Sequence, residues 1–199
     1  QDTLGPRPNT EAIHQIGLWT LRLIFLSLAV TPLQTLLKWP KLIDVRRMLG
    51  VAAFVYVMLH LVIYAADQKF ILWTVASEIV LRIYLTIGFI AIVGLVALAA
   101  TSTDNMIRAL GRLRWLRLHR LVYGITVLAL IHFFMQSKID ASEATLMAGL
   151  FLTLMIYRLV FRMRRPIGPM MLAGIAVAGA AATAATSRPP SPSARKRSP

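Results

Sequence analysis

Five long apolar stretches separated by short polar punctuation run along the chain. They lie roughly over Gly17–Leu37, Met48–Ala66, Ile79–Ala100, Leu118–Met135 and Thr145–Phe161. Each falls near the length of about 20 residues that a helix rising about 1.5 Å per residue needs to cross a hydrocarbon layer about 30 Å thick. Polar residues collect at Lys38–Arg47, Asp67–Ser77, Thr101–Arg117 and Gln136–Glu143, and again at Arg162–Pro169. Connections this short make consecutive helices antiparallel neighbours. No solenoid-type repeat is visible. The pattern predicts an all-α integral membrane helical bundle with five clear transmembrane helices. Met170–Thr186, mostly Ala and Gly, is a weak sixth candidate, and Ser187–Pro199, rich in Pro, Ser and Arg, reads as a disordered basic tail.

Charge orients the bundle. Lys38, Lys41, Arg46 and Arg47 lie between the first two stretches, Arg108, Arg112, Arg114 and Arg117 between the third and fourth, and Arg158, Arg162, Arg164 and Arg165 at the end of the fifth. The other three polar regions offer only Arg7, Lys69 and Lys138, each accompanied by Asp or Glu. The positive-inside rule places the first set in the cytoplasm and the second in the periplasm.

Composition narrows the chemistry. The chain has 199 residues, 57% of them hydrophobic, and a net charge of +14, but its basic residues sit in clusters between apolar stretches with no aromatic-studded basic face. That arrangement fits a lipid membrane and argues against nucleic acid. With no cysteine, disulfides, thiolate metal sites and thiol nucleophiles are excluded, so metal chemistry must rest on His, carboxylates or Met. No Walker loop, Rossmann glycine pattern, nucleophile elbow or HExxH motif occurs. Residues 1–11 lack a signal peptide and the chain starts at Gln1, which makes a truncated or processed chain the expectation.

Ionisable groups at membrane depth are costly, which makes an intramembrane His a functional candidate. His60 and His132 meet that description. Each lies about 18 Å along a helix that enters from the cytoplasmic side, counted from Met48 and from Arg120. Two imidazoles at one depth can clamp a planar haem from both faces. They can equally form a proton relay, bind a transported metal, or make an interhelical hydrogen bond worth about 1 kcal/mol or less. Tyr56, Tyr64 and Gln136 are the side chains expected to hydrogen-bond the pair. His119 stands at the cytoplasmic mouth of the fourth stretch among arginines, with no His partner near Arg46–Leu49. Arg46, Arg47, Arg114, Arg117 and Arg120 are candidates for haem propionates or a flavin phosphate, and equally for lipid anchoring. His14 and Arg82 read as interfacial groups, Arg82 snorkelling to headgroups.

Several strings carry a family resemblance: HQIGLWTLRLIFLSLAVTPL from His14, DVRRMLG from Asp44, LHLVIY from Leu59, RIYLTIG from Arg82, LALAATSTD up to Asp104, and LHRLVYGITVLALIHFF from Leu118. In this order they resemble the MsrQ (formerly YedZ) family. These are haem-binding membrane subunits of the bacterial periplasmic protein-methionine-sulfoxide reductase system, within the ferric-reductase-like transmembrane domains. The similarity spans roughly residues 8 to 165. Members carry another membrane helix ahead of the segment matching His14, so an N-terminally shortened chain is again expected, and the stretch Gly111–His119 is one residue longer than the usual pattern.

The resemblance implies b-type haem held by His60 and His132, with His119 as a further haem-ligand candidate, and it implies FMN. It further implies electrons drawn from the quinone pool or a cytosolic flavin reductase and delivered, across the bacterial inner membrane, to a periplasmic molybdopterin-containing methionine-sulfoxide reductase that repairs oxidised envelope proteins. The chain would be a redox subunit and not the one that contacts the sulfoxide. The expected organisation is a periplasmic N-terminal segment over 1–16, a ferric-reductase-like haem domain over 17–165, and, by composition and with no counterpart in the family, the Ala/Gly-rich segment over 166–186 and the tail over 187–199. The rival readings are a His-based proton or metal transporter, against which the scarcity of intramembrane carboxylates argues, and a purely structural anchor.

Overall fold

A computed structural model describes residues 8–137 and 141–162, together with Gly174, Val177 and Ala180. The Ala/Gly-rich segment, those three residues aside, and the basic tail lie outside the described residues. The described chain is all-α, with the helices α1 Pro8–Leu37, α2 Leu42–Asp67, α3 Leu72–Leu81, α4 Ile83–Ala100, α5 Asp104–Leu110, α6 Arg112–His119, α7 Leu121–Gln136 and α8 Ser142–Arg162. Among the described residues five helical segments are long and apolar enough to cross a membrane: Asn9–Leu37, Asp44–Asp67, Ile83–Ala100, Arg112–Gln136 and Ser142–Phe161. The protein is thus a multi-pass membrane protein.

The chain divides into two compact units, Gln1–Gln136 and Ser137–Pro199. In the first, α1 packs most extensively on α2 and α4 on α7, while contacts of α2 with α4 and of α1 with α7 join the two pairs. Leu21, Ile24 and Leu28 of α1, Ala53 and Val57 of α2, Ile92 and Leu95 of α4, and Ile125 and Leu130 of α7 are buried. The buried hydroxyls of Thr20 and Thr126 donate to the carbonyls of Ile16 and Val122 one turn earlier, so neither carries an unmet hydrogen bond into an apolar interior. Val62, Ile90, Val93 and Ile131 remain exposed, as expected of a surface solvated by lipid. The second unit contains α8, which starts beside the acidic Glu143.

Three features depart from the hydropathy pattern. First, α1 begins at Pro8, so the stretch expected to precede the first membrane helix is largely its first two turns. Second, the helix expected to begin at Ile79 is broken at Arg82, whose backbone is extended (φ −107°, ψ 105°). The break frees the Ile79 carbonyl, which accepts a hydrogen bond from the Thr86 hydroxyl at 2.5 Å. A nearby hydroxyl is how a membrane helix tolerates lost backbone pairing. Ahead of the break, Lys69 and Phe70 (φ 53° and 55°) turn the chain from α2 into α3.

Third, the basic connection over Thr101–Arg117 is helical, in two short pieces. Thr103 caps α5 by accepting from the Met106 amide at 3.3 Å. Gly111 separates α5 from α6 at φ 74° and ψ 150°, a region that only glycine enters readily. The Trp115 indole N–H donates to the Thr101 carbonyl at 2.9 Å, and Arg47 pairs with Asp104, tying the connection to the ends of α4 and α2.

Candidate functional site

His60 on α2 and His132 on α7 face one another across the first unit. Their ring centres are 6.4 Å apart and their planes stand at 87°. Each ring is fixed through Nδ1 to a backbone carbonyl of the helix it packs against: His60 to Ile13 of α1 at 2.9 Å, His132 to Tyr84 of α4 at 2.7 Å. A carbonyl oxygen can only accept, so Nδ1 carries the hydrogen in both rings and Nε2 is the lone-pair nitrogen. A histidine prepared to bind a metal through Nε2 shows this arrangement, because the bond at Nδ1 sets tautomer and orientation and raises the basicity of the other nitrogen.

The local sequence explains how the rings come so close to backbone. The residue one turn after each accepting carbonyl is a glycine, Gly17 on α1 and Gly88 on α4. A Cβ at Gly17 would lie 3.1 Å from His60 ring atoms, and one at Gly88 only 2.7 Å from His132 Nδ1. The carbonyls of Ile13 and Tyr84 have a second lone pair beyond the one the helix uses, and the missing Cβ lets the imidazole reach it.

The space beside the two rings is a cavity walled by α1, α2, α4 and α7. Leu21, Ile24, Val57, Ile92 and Leu95 line one end, and His14, Tyr64, Tyr84 and Gln136 the other. The polar end is the one that the charge pattern assigns to the periplasm. An amphiphilic disc with an apolar body and carboxylates at one edge matches this division. Two metal–imidazole bonds of about 2 Å, with about 1.1 Å from each nitrogen to its ring centre, put the centres about 6.2 Å apart. The observed 6.4 Å meets that requirement. No group of three or more His, Cys, Asp or Glu able to hold a metal ion occurs among the described residues. A pair of imidazoles is therefore the ligand set on offer, and a macrocycle would have to supply the rest. The residues present fit a haem.

Other expected participants take different roles. The hydrogen-bond partners of the imidazoles are backbone carbonyls and not Tyr56, Tyr64 or Gln136. Tyr64 donates to Glu78 at 2.8 Å, Gln136 lines the cavity, and Tyr56 is exposed. Arg82 does more than snorkel: it pairs with Glu78 at 2.8 Å and donates to the Tyr84 hydroxyl at 3.1 Å, and with the Tyr64–Glu78 bond this joins α2, α3 and α4 at the polar end. His119, the last residue of α6, is not among the residues lining the cavity. Its ring stacks on Trp115 at 4.0 Å, with Nδ1 3.2 Å from the Trp115 carbonyl and Nε2 3.4 Å from the Ser102 hydroxyl.

His14, interfacial by its position in the sequence, is exposed but also lines the cavity mouth. Its sequence signal is its place beside Ile13, which means nothing until the carbonyl's role is known. Sequence reasoning misses the two glycines for the same reason.

Comparison with known proteins gives concordant matches. Residues 16–130 match the family of ferric reductase like transmembrane components. A protein of Rhodospirillum rubrum named protein-methionine-sulfoxide reductase heme-binding subunit MsrQ is 42% identical over 163 residues, covering 81% of this chain and 78% of that protein. Proteins of the same name from Xanthomonas campestris pv. campestris (45% identical over 158 residues, 79% of this chain and 72% of the relative) and Caulobacter vibrioides (38% over 156 residues, 78% and 74%) are similar.

Proposed function

Because the chain belongs to the ferric reductase like transmembrane family, and within it to the MsrQ subunits, we propose that it is a membrane electron-transfer subunit carrying b-type haem between His60 and His132. The observation that carries this reading is the pair of imidazoles 6.4 Å apart, each with its Nδ1 on a helix carbonyl. The relatives are named as heme-binding subunits of a protein-methionine-sulfoxide reductase, which supports the haem and the link to that system.

Haem, when bound, supplies a one-electron iron couple. The chain's own residues do the rest. His60 and His132 would hold the haem through Nε2, the Ile13 and Tyr84 carbonyls keep the rings in register, and the apolar walls exclude water and would favour the less charged state of the iron. His14, Tyr84 and Gln136 lie at the polar edge that would receive the propionates.

In the same reading the chain lies in the bacterial inner membrane with its three basic clusters in the cytoplasm. Electrons come from the quinone pool or a cytosolic flavin reductase, and leave at the periplasm for a molybdopterin-containing methionine-sulfoxide reductase that repairs oxidised envelope proteins. FMN is the proposed further cofactor, and the arginines around Arg108–Arg120 offer its phosphate charge-assisted donors. His119 is the proposed ligand or neighbour of a cofactor on that side.

The test is spectroscopic. Purified protein should show a b-type Soret band, with haem and flavin quantified per polypeptide, and His60→Ala or His132→Ala should remove most of it. Full wild-type spectra in both variants would overturn the assignment.

A further inference from the structure

The two halves of the haem cradle are built to one pattern. Ile13 and Gly17 on α1 receive His60 from α2, and Tyr84 and Gly88 on α4 receive His132 from α7. The accepting carbonyl precedes its imidazole by 47 residues in the first case and 48 in the second. The sequences on the receiving helices, IHQIG at 13–17 and YLTIG at 84–88, end in the same Ile-Gly pair. The pairs of helices are also the two that pack most extensively, α1 on α2 and α4 on α7. Because α1 and α4 are read as running inward and α2 and α7 outward, the two pairs share one direction through the membrane, with one iron expected between them.

The halves are not equally tight. A Cβ at Gly17 would meet the His60 ring at 3.1 Å, a distance that a small shift of the ring relieves. A Cβ at Gly88 would meet His132 at 2.7 Å from Nδ1 and 2.9 Å from Cε1, which the ring cannot tolerate where it is. The hydrogen bond at the Gly88 site is also the shorter, 2.7 Å against 2.9 Å. A hydrogen bond at Nδ1 raises ligand basicity, and a more basic ligand favours ferric over ferrous iron.

We infer that Gly17 and Gly88 are positioning residues of an internally repeated carbonyl-and-glycine cradle, which seat the two imidazoles on helix backbone and thereby set the ligand field and potential of the haem iron, with Gly88 the stricter of the two. The inference rests on the haem reading above. Neither glycine touches iron. Each acts through the histidine that lies against it.

The experiment uses the full chain, purified with its haem, in wild-type form and as Gly17→Ala, Gly88→Ala and Gly124→Ala. Gly124 is a matched control, on the same helix as His132, where the methyl of an alanine would meet nothing within 4 Å. Readouts are haem per polypeptide, the low-spin ferric electron paramagnetic resonance signal, and the midpoint potential. Gly17→Ala should retain haem with a shifted low-spin signal and a raised potential, because its ring is pushed off the Ile13 carbonyl. Gly88→Ala should show a larger shift of the same sign or lose the low-spin haem altogether. Gly124→Ala should match wild type. A Gly17→Ala variant with wild-type signal and potential would overturn the inference, whatever Gly88→Ala does. A wild-type protein with no low-spin bis-imidazole signal would instead defeat the ligand assignment beneath it.

Discussion

The imidazole planes of His60 and His132 cross at 87° with their centres 6.4 Å apart. Neither ring is free to rotate toward the other, because each is hydrogen-bonded to a different helix, His60 to α1 and His132 to α4. The crossing angle is therefore set by how the two receiving helices are placed, and it becomes a property of the fold.

If the two rings hold a haem iron at the angle seen here, the iron d orbitals available for π donation would be nearly equivalent. The oxidised protein should therefore give a strongly anisotropic low-spin resonance and not the rhombic spectrum of parallel imidazoles. A low-temperature spectrum of the ferric protein checks this. A purely rhombic signal would mean that the rings align when iron is bound.

His119 tests whether a second cofactor depends on the basic connection over Thr101–Arg117. Since it does not line the cavity between His60 and His132, His119→Ala should leave the low-spin signal of that pair intact. A fall in haem or flavin content per polypeptide would assign His119 to a further cofactor. Unchanged content would leave it the role its contacts already show, stacking on Trp115 and bonding to Ser102.

Packing between α4 and α7 relies on a second small residue. A Cβ at Gly94 would come within 2.7 Å of Ile125 Cγ1, and Ile125 is buried. Gly94→Ala should destabilise the protein by about 1–3 kcal/mol through overpacking. Gly50→Ala, where a Cβ meets nothing within 4 Å, should be neutral or stabilise by about 0.4–1 kcal/mol through a less flexible unfolded chain. Thermal unfolding in detergent distinguishes the two.

Hydropathy locates the five crossing segments because each is a continuous apolar run, and counting residues from the basic ends brings His60 and His132 to one level. What it does not show are features that depend on a neighbour. Gly17 and Gly88 look like any small residue in a membrane helix until an imidazole is seen lying against them. The break at Arg82 is hidden because the residues on both sides are apolar, and it is an extended backbone at one residue that makes it. The helices α5 and α6 hide within a polar connection because their charges outweigh their local signals, although Thr103 as a cap and Gly111 as a breaker both stand in the sequence. Spacing on one helix points to Tyr56 and Tyr64 as partners of the imidazoles, whereas the true acceptors come from across the interface.

The two ring hydrogens are already committed to the oxygens of Ile13 and Tyr84, and a peptide oxygen neither takes up nor passes on a proton at physiological pH. With haem in place, a change of one electron at the iron has no protonation event to draw on along those bonds. An electron arriving between His60 and His132 would then shift no proton along either bond, which leaves any coupled protonation to groups outside the two carbonyl contacts.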